Sequence, residues 1–317
     1  MRLKGLDGHM DYLAFNVIID DIVFPDGRTR MGILGGGGPQ AAFGMRLWSD
    51  SVALVAAVGS DLPRQVRTDL ENLQISLQGL YDLGLPTPRA WQVMEFNGHR
   101  TEIWRVAPEV VKASLDCPWE RIPPVLQQAG GYHLCLEPLR PAFCFLTDVR
   151  TAGGVVSVET SEMAKRQLVS GELEAFLTGL DIFSPNLAEA HSLLGPGEPA
   201  QLLARLVKAG APRAVLRMGA DGALAADRHS RHMLHIPAVP TSVVDPIGAG
   251  NAFCGGFLVG WRETGDLQTA GLYGSVSASF LVEQIGLPVF NEQVCREARN
   301  RFSRHRSQVE TFELPDV

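Results

Sequence analysis

A chain of 317 residues, 45% hydrophobic and 20% charged, is long enough to bury one large core and has the make-up of a globular protein. Its formal charge of −7 argues against nucleic acid or an anionic membrane surface as a general partner. No apolar run reaches the roughly 18 residues that cross a bilayer, and Met1–Met10 carries no secretory pattern, so a cytoplasmic location is expected.

Tyr12–Ile19 (YLAFNVII) is a continuous apolar run of strand length, the pattern of a parallel strand covered on both faces. Similar runs recur at Val52–Val58, Tyr132–Leu136, Val155–Val158, Asp181–Phe183 and Ala214–Leu216. Between them, Gln40–Trp48, Pro63–Leu73, Leu187–Leu194 and Ala200–Ala209 have helical spacing. This alternation predicts an α/β fold with a doubly wound, mostly parallel sheet flanked by helices. Two stretches break the rhythm: Asp21–Ile33 and Arg89–Val106 read as strands joined by turns, the second with a hairpin tip at Phe96-Asn97-Gly98-His99. They predict a small β-layer built on the main domain. From about Asn251 the chain is helical, over Asn251–Glu263, Gln268–Glu283 and Glu292–Arg304. No repeat or low-complexity linker divides it, so residues 1–317 are expected to form one domain. The five cysteines form no CxxC pair and read as free thiols.

Three glycine- or amide-rich segments could carry chemistry. In Asp245-Pro246-Ile247-Gly248-Ala249-Gly250-Asn251-Ala252-Phe253, small residues lead directly into a helical stretch. The free N–H groups and dipole of such a helix start form an anion site; a plain tight turn is the rival. Gly255 and Gly256 would let the same helix pack closely on its neighbours. In Asp181-Ile182-Phe183-Ser184-Pro185-Asn186-Leu187-Ala188-Glu189, a strand ends and a helix begins, with Asn186 and Glu189 on one turn. The pair suits Mg²⁺ held through water, or simply an N-cap with its supporting carboxylate. Gly35–Gly38, followed by Pro39-Gln40-Ala41-Ala42, leaves backbone groups open to a polyol, or is a flexible loop. The GxxxxGK[ST] phosphate loop is absent, and no strand runs into the glycine run as a dinucleotide fingerprint requires.

Taken in order and spacing, the glycine-rich start, the β-excursions, Pro185-Asn186-x-x-Glu189 and the Gly248-Ala249-Gly250 turn resemble the PfkB (ribokinase-like) carbohydrate kinases over about Asp11 to Gly286. The glycine run and GAGNAF resemble a divergent branch of that family. The resemblance implies a ribokinase-like fold whose β-excursions, about 20–34 and 88–107, form a lid over a sugar or nucleoside-like substrate. It implies substrate contacts from Asp20 (Asp21 being the near alternative), Gly36, Gly37 and Gln40 or Ala41. ATP and Mg²⁺ are the implied cofactors, with Asn186, Glu189, Arg217, Gly219 and Gly222 on the nucleotide side and Glu189 toward the metal. Arg217 stands where the family's nucleotide turn carries Thr, and could replace a hydroxyl contact with a charged phosphate contact or block the site. Gly248, Ala249 and Gly250 would form the anion hole. The next residue is normally the aspartate that accepts the proton of the attacking hydroxyl, and here it is Asn251. An amide cannot accept that proton at neutral pH, and loss of a general base costs about 10²–10⁴ in rate. The expectation is an ATP-dependent sugar phosphotransferase with weakened catalysis. A nucleoside kinase and a non-catalytic kinase-like protein are the alternatives. Lid strands pair between subunits in relatives, which would allow a homodimer.

Among weaker signals, His229, His232 and His235 sit three apart without sharing one face, so a metal site there is not expected. The Arg296–Arg306 stretch reads as the wet face of a terminal helix, and Cys254 as a packed small residue.

Overall fold

The computed structural model describes residues 10–96, 100–138, 146–161 and 163–317; Cys144 and hairpin-tip residues 97–99 lie outside these. The chain opens with β1 (Tyr12–Phe15), β2 (Ile18–Val23) and β3 (Thr29–Gly35), then α1 (Gly37–Arg46), β4 (Val52–Ala57), α2 (Arg64–Asn72) and β5 (Ser76–Tyr81). β6 (Arg89–Met94) and β7 (Arg100–Trp104) follow, with α3 (Pro108–Leu115), β8 (Gly131–Leu136), α4 (Leu146–Thr151), β9 (Val155–Thr160) and α5 (Ser170–Leu177). After them come β10 (Ile182–Phe183), α6 (Leu187–Leu194), α7 (Pro199–Lys208), β11 (Arg213–Arg217), β12 (Ala223–Asp227) and β13 (His232–Ile236). The chain closes with α8 (Ala249–Thr264), α9 (Leu267–Leu281), α10 (Glu292–His305) and β14 (Glu310–Glu313).

Ten strands form one sheet in the order β14-β13-β12-β11-β10-β9-β8-β1-β4-β5. Pairing is parallel from β11 to β5 and antiparallel from β11 to β14. One apolar core, with Phe43, Val66, Phe257, Leu272 and Ala298, lies under α1, α2, α8, α9 and α10. The other, with Val149, Leu173, Leu193 and Leu202, lies under α4–α7 on the opposite face. Burial on both faces explains why the central strands read as unbroken apolar runs. α8 packs against α1 and α9 closely, since a Cβ at Gly255 would strike the Ala41 carbonyl and one at Gly256 the Tyr273 carbonyl.

The two expected excursions form a second sheet of four strands, β3-β2-β6-β7. One expectation is corrected here. Tyr12–Ile19 is not a single strand but β1 of the large sheet and the start of β2 of the small one, separated at Asn16, whose φ is 73°. An apolar run records burial, and both halves are buried, so the break left no trace in hydropathy. β5, α3, α4, α5 and β12–β14 were not foreseen; most are short or half-exposed, which weakens their periodic signal.

Candidate active site

The carboxyl ends of the large sheet's central strands, the start of α8 and the small sheet enclose a cavity of about 1190 Å³. That exceeds the roughly 300–1,000 Å³ of an ordinary single-ligand pocket. Asp20, Gly36, Gly37, Gln40, Asn186, Glu189, Arg217, Gly248, Gly250 and Asn251 all reach its wall. Of the residues singled out in the sequence, Ala249 lies within the helix start but not on the wall. Gly219 and Gly222 lie off the wall too, in the tight turn between β11 and β12, where Met218 N–H donates to the Gly222 carbonyl at 2.8 Å.

The start of α8 is open. Gly248 is the N-cap with φ 80°, a left-handed conformation that favours glycine, and no side chain caps the helix. Among the described residues the N–H groups of Gly250 and Asn251 donate to nothing in the chain. Unpaired amides and the positive end of the helix dipole thus meet at the cavity wall, the arrangement that holds an anion.

Beneath this turn lies a buried carboxylate that sequence reasoning missed. Glu159 is the penultimate residue of β9, and register with β8 sets it opposite Cys135, with Ser157 opposite His133, all on one face. Glu159 Oε1 accepts from His133 Nε2 at 3.1 Å, from Cys135 Sγ at 3.3 Å and, in a short contact, from Asn251 Nδ2; Oε2 forms an ion pair with Arg217, whose Nη2 lies 2.9 Å away. Burial by itself would raise its pKa, but the Arg217 charge and the His133 and Asn251 hydrogen bonds outweigh it and hold the carboxyl down at about 2. An ionised carboxylate only accepts, so the Asn251 atom facing it must be the amide nitrogen. Asn251 Oδ1 is therefore the atom left for a ligand. His133, Cys135 and Glu159 present ligand atoms within 4.8 Å of one another. Their centre is a carboxylate already satisfied by donors, with a guanidinium among them, which opposes a metal cation there.

At the other end, Asp20 projects from β2 into the cavity while its neighbour Asp21 points away, following strand alternation. Asp21 accepts from Arg89 Nε at 2.6 Å, Arg89 Nη2 at 2.8 Å, Gly32 N–H at 2.8 Å and, at short range, Arg105. It is a structural ion pair, which leaves the site to Asp20. Burial pushes the Asp20 carboxyl up to about 7, despite a 2.9 Å hydrogen bond from Gln92 Nε2 and the charge of Arg100. Gln40 Oε1 and Gln92 Oε1 are buried with no hydrogen-bond partner. Two orphaned acceptors beside a carboxylate match the hydroxyl donors of a polyol.

Asn186 and Glu189 use their polar atoms on each other. Asn186 N–H and Nδ2 donate to Glu189 Oε2 and Oε1, both at 2.7 Å, and Glu189 N–H donates back to Asn186 Oδ1 at 2.9 Å. Burial raises the Glu189 pKa, with the Arg217 charge opposing. Arg217 Nη2 lies 3.4 Å from Glu189 Oε2. With every oxygen engaged and a guanidinium alongside, this pair does not fit a directly held Mg²⁺.

A family model described as pfkB family carbohydrate kinase matches residues 26–293. The chain belongs to this family. As a pfkB protein it is 27% identical over 307 residues to an uncharacterized protein of Schizosaccharomyces pombe, covering 86% of this chain and 83% of that one. It is 27% identical over 261 residues to the cytidine kinase of Thermococcus kodakarensis, covering 78% and 87%. Protein MAK32 of Saccharomyces cerevisiae is 32% identical over 127 residues, covering 35% of each chain. Arabidopsis thaliana ribokinase, solved with ribose and ATP, matches with a TM-score of 0.71 at 19% identity over 93% of this chain and 99% of its own, which shows the fold. The pfkB chain thus has the fold of sugar and nucleoside kinases. Among the described residues no helix is long and apolar enough to cross a membrane.

Glu159, Gln92, Arg100 and Glu102 reach the cavity without having been foreseen. Glu159 was the recoverable one. A carboxylate at the carboxyl end of the apolar run Val155–Val158 stands where open α/β sheets place ligands. The others sit on β6 and β7, where strand alternation without a pairing register does not say which face looks inward.

Proposed function

We propose that this pfkB protein transfers a phosphoryl group from ATP to a hydroxyl of a sugar or sugar-like polyol, slowly, with Asn251 in place of a general base. The observation that carries the reading is the uncapped start of α8, with free Gly250 and Asn251 amides on the same cavity as Asp20. Asp20, Gln40, Gln92, Gly36 and Gly37 would orient the acceptor, and the four-stranded sheet would act as its lid. Gly248, Ala249 and Gly250 would hold the phosphoryl oxygens. Asn251 Oδ1 would accept a hydrogen bond from the attacking hydroxyl, and Glu159 would position that amide by fixing its Nδ2. The acceptor O–P bond forms as the bond to ADP breaks, and the hydroxyl proton passes to a phosphoryl oxygen instead of a side chain. Phosphoryl transfer depends mainly on positioning and charge stabilisation, so such a site turns over without a base. On this reading Asn186 and Glu189 would hold Mg²⁺ only through water, and the ion would offset charge on the nucleotide phosphates. Gly219 and Gly222 would shape the nucleotide-side turn.

A nucleoside acceptor is the second reading, supported by the apolar side chains Phe15, Met94, Trp104 and Leu136 on the cavity wall. The open edges β3 and β7 of the small sheet would allow the lid to pair in a homodimer, which sedimentation velocity would detect. The deciding experiment is ADP release from ATP with a panel of sugars and nucleosides. Turnover with one acceptor class supports the enzyme and names the class. A thermal shift with ATP but no turnover makes the protein a non-catalytic binder.

A further inference from the structure

Arg217 is held unlike a side chain that merely fills space. Nε and Nη2 donate to the Ser184 carbonyl at 3.1 and 2.8 Å, and Nη2 also faces Glu159 at 2.9 Å and Glu189 at 3.4 Å. These contacts anchor one edge of the guanidinium against the ends of β9 and β10. Nη1 makes no hydrogen bond among the described residues. It lies against Gly250, so close that a Cβ there would overlap it, and the side chain lines the cavity. A planar cation with a fixed edge and a free edge beside unpaired helix amides has the geometry of a phosphate ligand. The alternative of a plug is opposed by the space: the cavity keeps about 1190 Å³ with Arg217 in its wall.

We propose that Arg217 is a resident cation of the phosphoryl site: its Nη1 binds the transferring phosphoryl group beside Gly250 and supplies there the charge that a divalent ion at Glu189 would otherwise supply. Nucleotide then engages this site with little dependence on divalent cation. The inference rests on the phosphotransferase reading above. It accounts for a guanidinium lying where the Asn186–Glu189 pair would have received a metal, and for glycine being required at 250.

The test is ATP binding to the full chain by titration calorimetry, in EDTA and in excess Mg²⁺. The dissociation constant of the wild type in EDTA is expected within about tenfold of that in Mg²⁺. A charge-assisted hydrogen bond is worth about 10- to 100-fold, so Arg217→Thr is expected to bind ATP more weakly by that factor in EDTA, with Arg217→Lys between the two. A wild type that binds ATP only with Mg²⁺, or an Arg217→Thr variant that binds in EDTA as tightly as the wild type, overturns the resident cation and leaves the phosphotransferase reading standing. Absence of ATP binding by the wild type in both buffers removes that reading and the inference with it. Should Arg217→Thr not fold, with two carboxylates left beside no cation, the wild-type titration and Arg217→Lys still decide.

Discussion

Two carboxylates mark the two ends of the cavity, and they are almost equally buried: Asp20 is 4% exposed and Glu159 3%. Their ionisation nevertheless moves in opposite directions, up to about 7 for Asp20 and down to about 2 for Glu159. Burial raises both. The difference lies in the company each keeps, since Asp20 has a neutral amide at contact whereas Glu159 has a guanidinium at 2.9 Å and three further donors. The Asp20 end is left under-satisfied, with the amide oxygens of Gln40 and Gln92 lacking partners. The Glu159 end is saturated, which makes Glu159 a poor base and a firm anchor.

The strongest way to break this comparison is to move the charge. Asn251→Asp alone sets a second carboxylate in contact with Glu159, and the two cannot both ionise. The new acid stays protonated toward Glu159, so turnover is expected to rise less than about tenfold. Combining it with Glu159→Gln leaves one carboxylate, now at 251 and facing an amide donor. The double variant is expected to gain about 10²–10⁴ in kcat over the native chain. Steady-state kinetics of the four proteins checks this, and equal gains for the single and double variants would show that Glu159 does not govern position 251.

Next in size is the stability effect of Glu159→Gln by itself. It removes one partner of a buried ion pair, and a loss of about 3 kcal/mol is expected in denaturant unfolding. Asn251→Asp in the same background should restore part of it.

A smaller effect separates the ends by pH. The folded-state pKa of Asp20 lies above its ordinary 3.8, so the native state holds this proton more tightly than the unfolded chain. The stability it contributes is full below about pH 4 and is lost as pH rises through about 7. On the proposed reading, acceptor binding uses the carboxylate and moves the other way, so KM is expected about tenfold higher at pH 6 than on the alkaline plateau. Asp20→Asn should abolish both slopes, whereas an unchanged KM profile would remove Asp20 from the acceptor site. The smallest expected change is at Cys135, whose thiol is one of several donors to Glu159. Cys135→Ala should cost about 1 kcal/mol of stability, measured by the same unfolding curves.

Much of this site was legible in the sequence because it is built from local rules. Gly248-Ala249-Gly250 before an apolar run marks an open helix start, and Asn186 with Glu189 marks a capping box; both rest on contacts within a few residues. The preference for Asp20 over Asp21 came from the family resemblance and not from local pattern, because strand alternation puts neighbours on opposite faces without saying which face meets the cavity. Asn16 was equally silent, being one turn residue inside a run that is apolar on both sides.

The sequence by itself determined the alternation of elements, the β-excursions, the glycine-rich start of α8 and the amide at position 251, since hydrophobic period and turn chemistry are written in consecutive residues. Only the tertiary structure decided that Glu159 fixes Asn251, that Arg217 stands beside Glu189, and that Asp20 is the carboxylate facing the cavity. The first two contacts join residues 92 and 28 positions apart, between the ends of β9 and β11 and the first turns of α8 and α6, and such placement is a property of packed sheets and helices that no single segment carries.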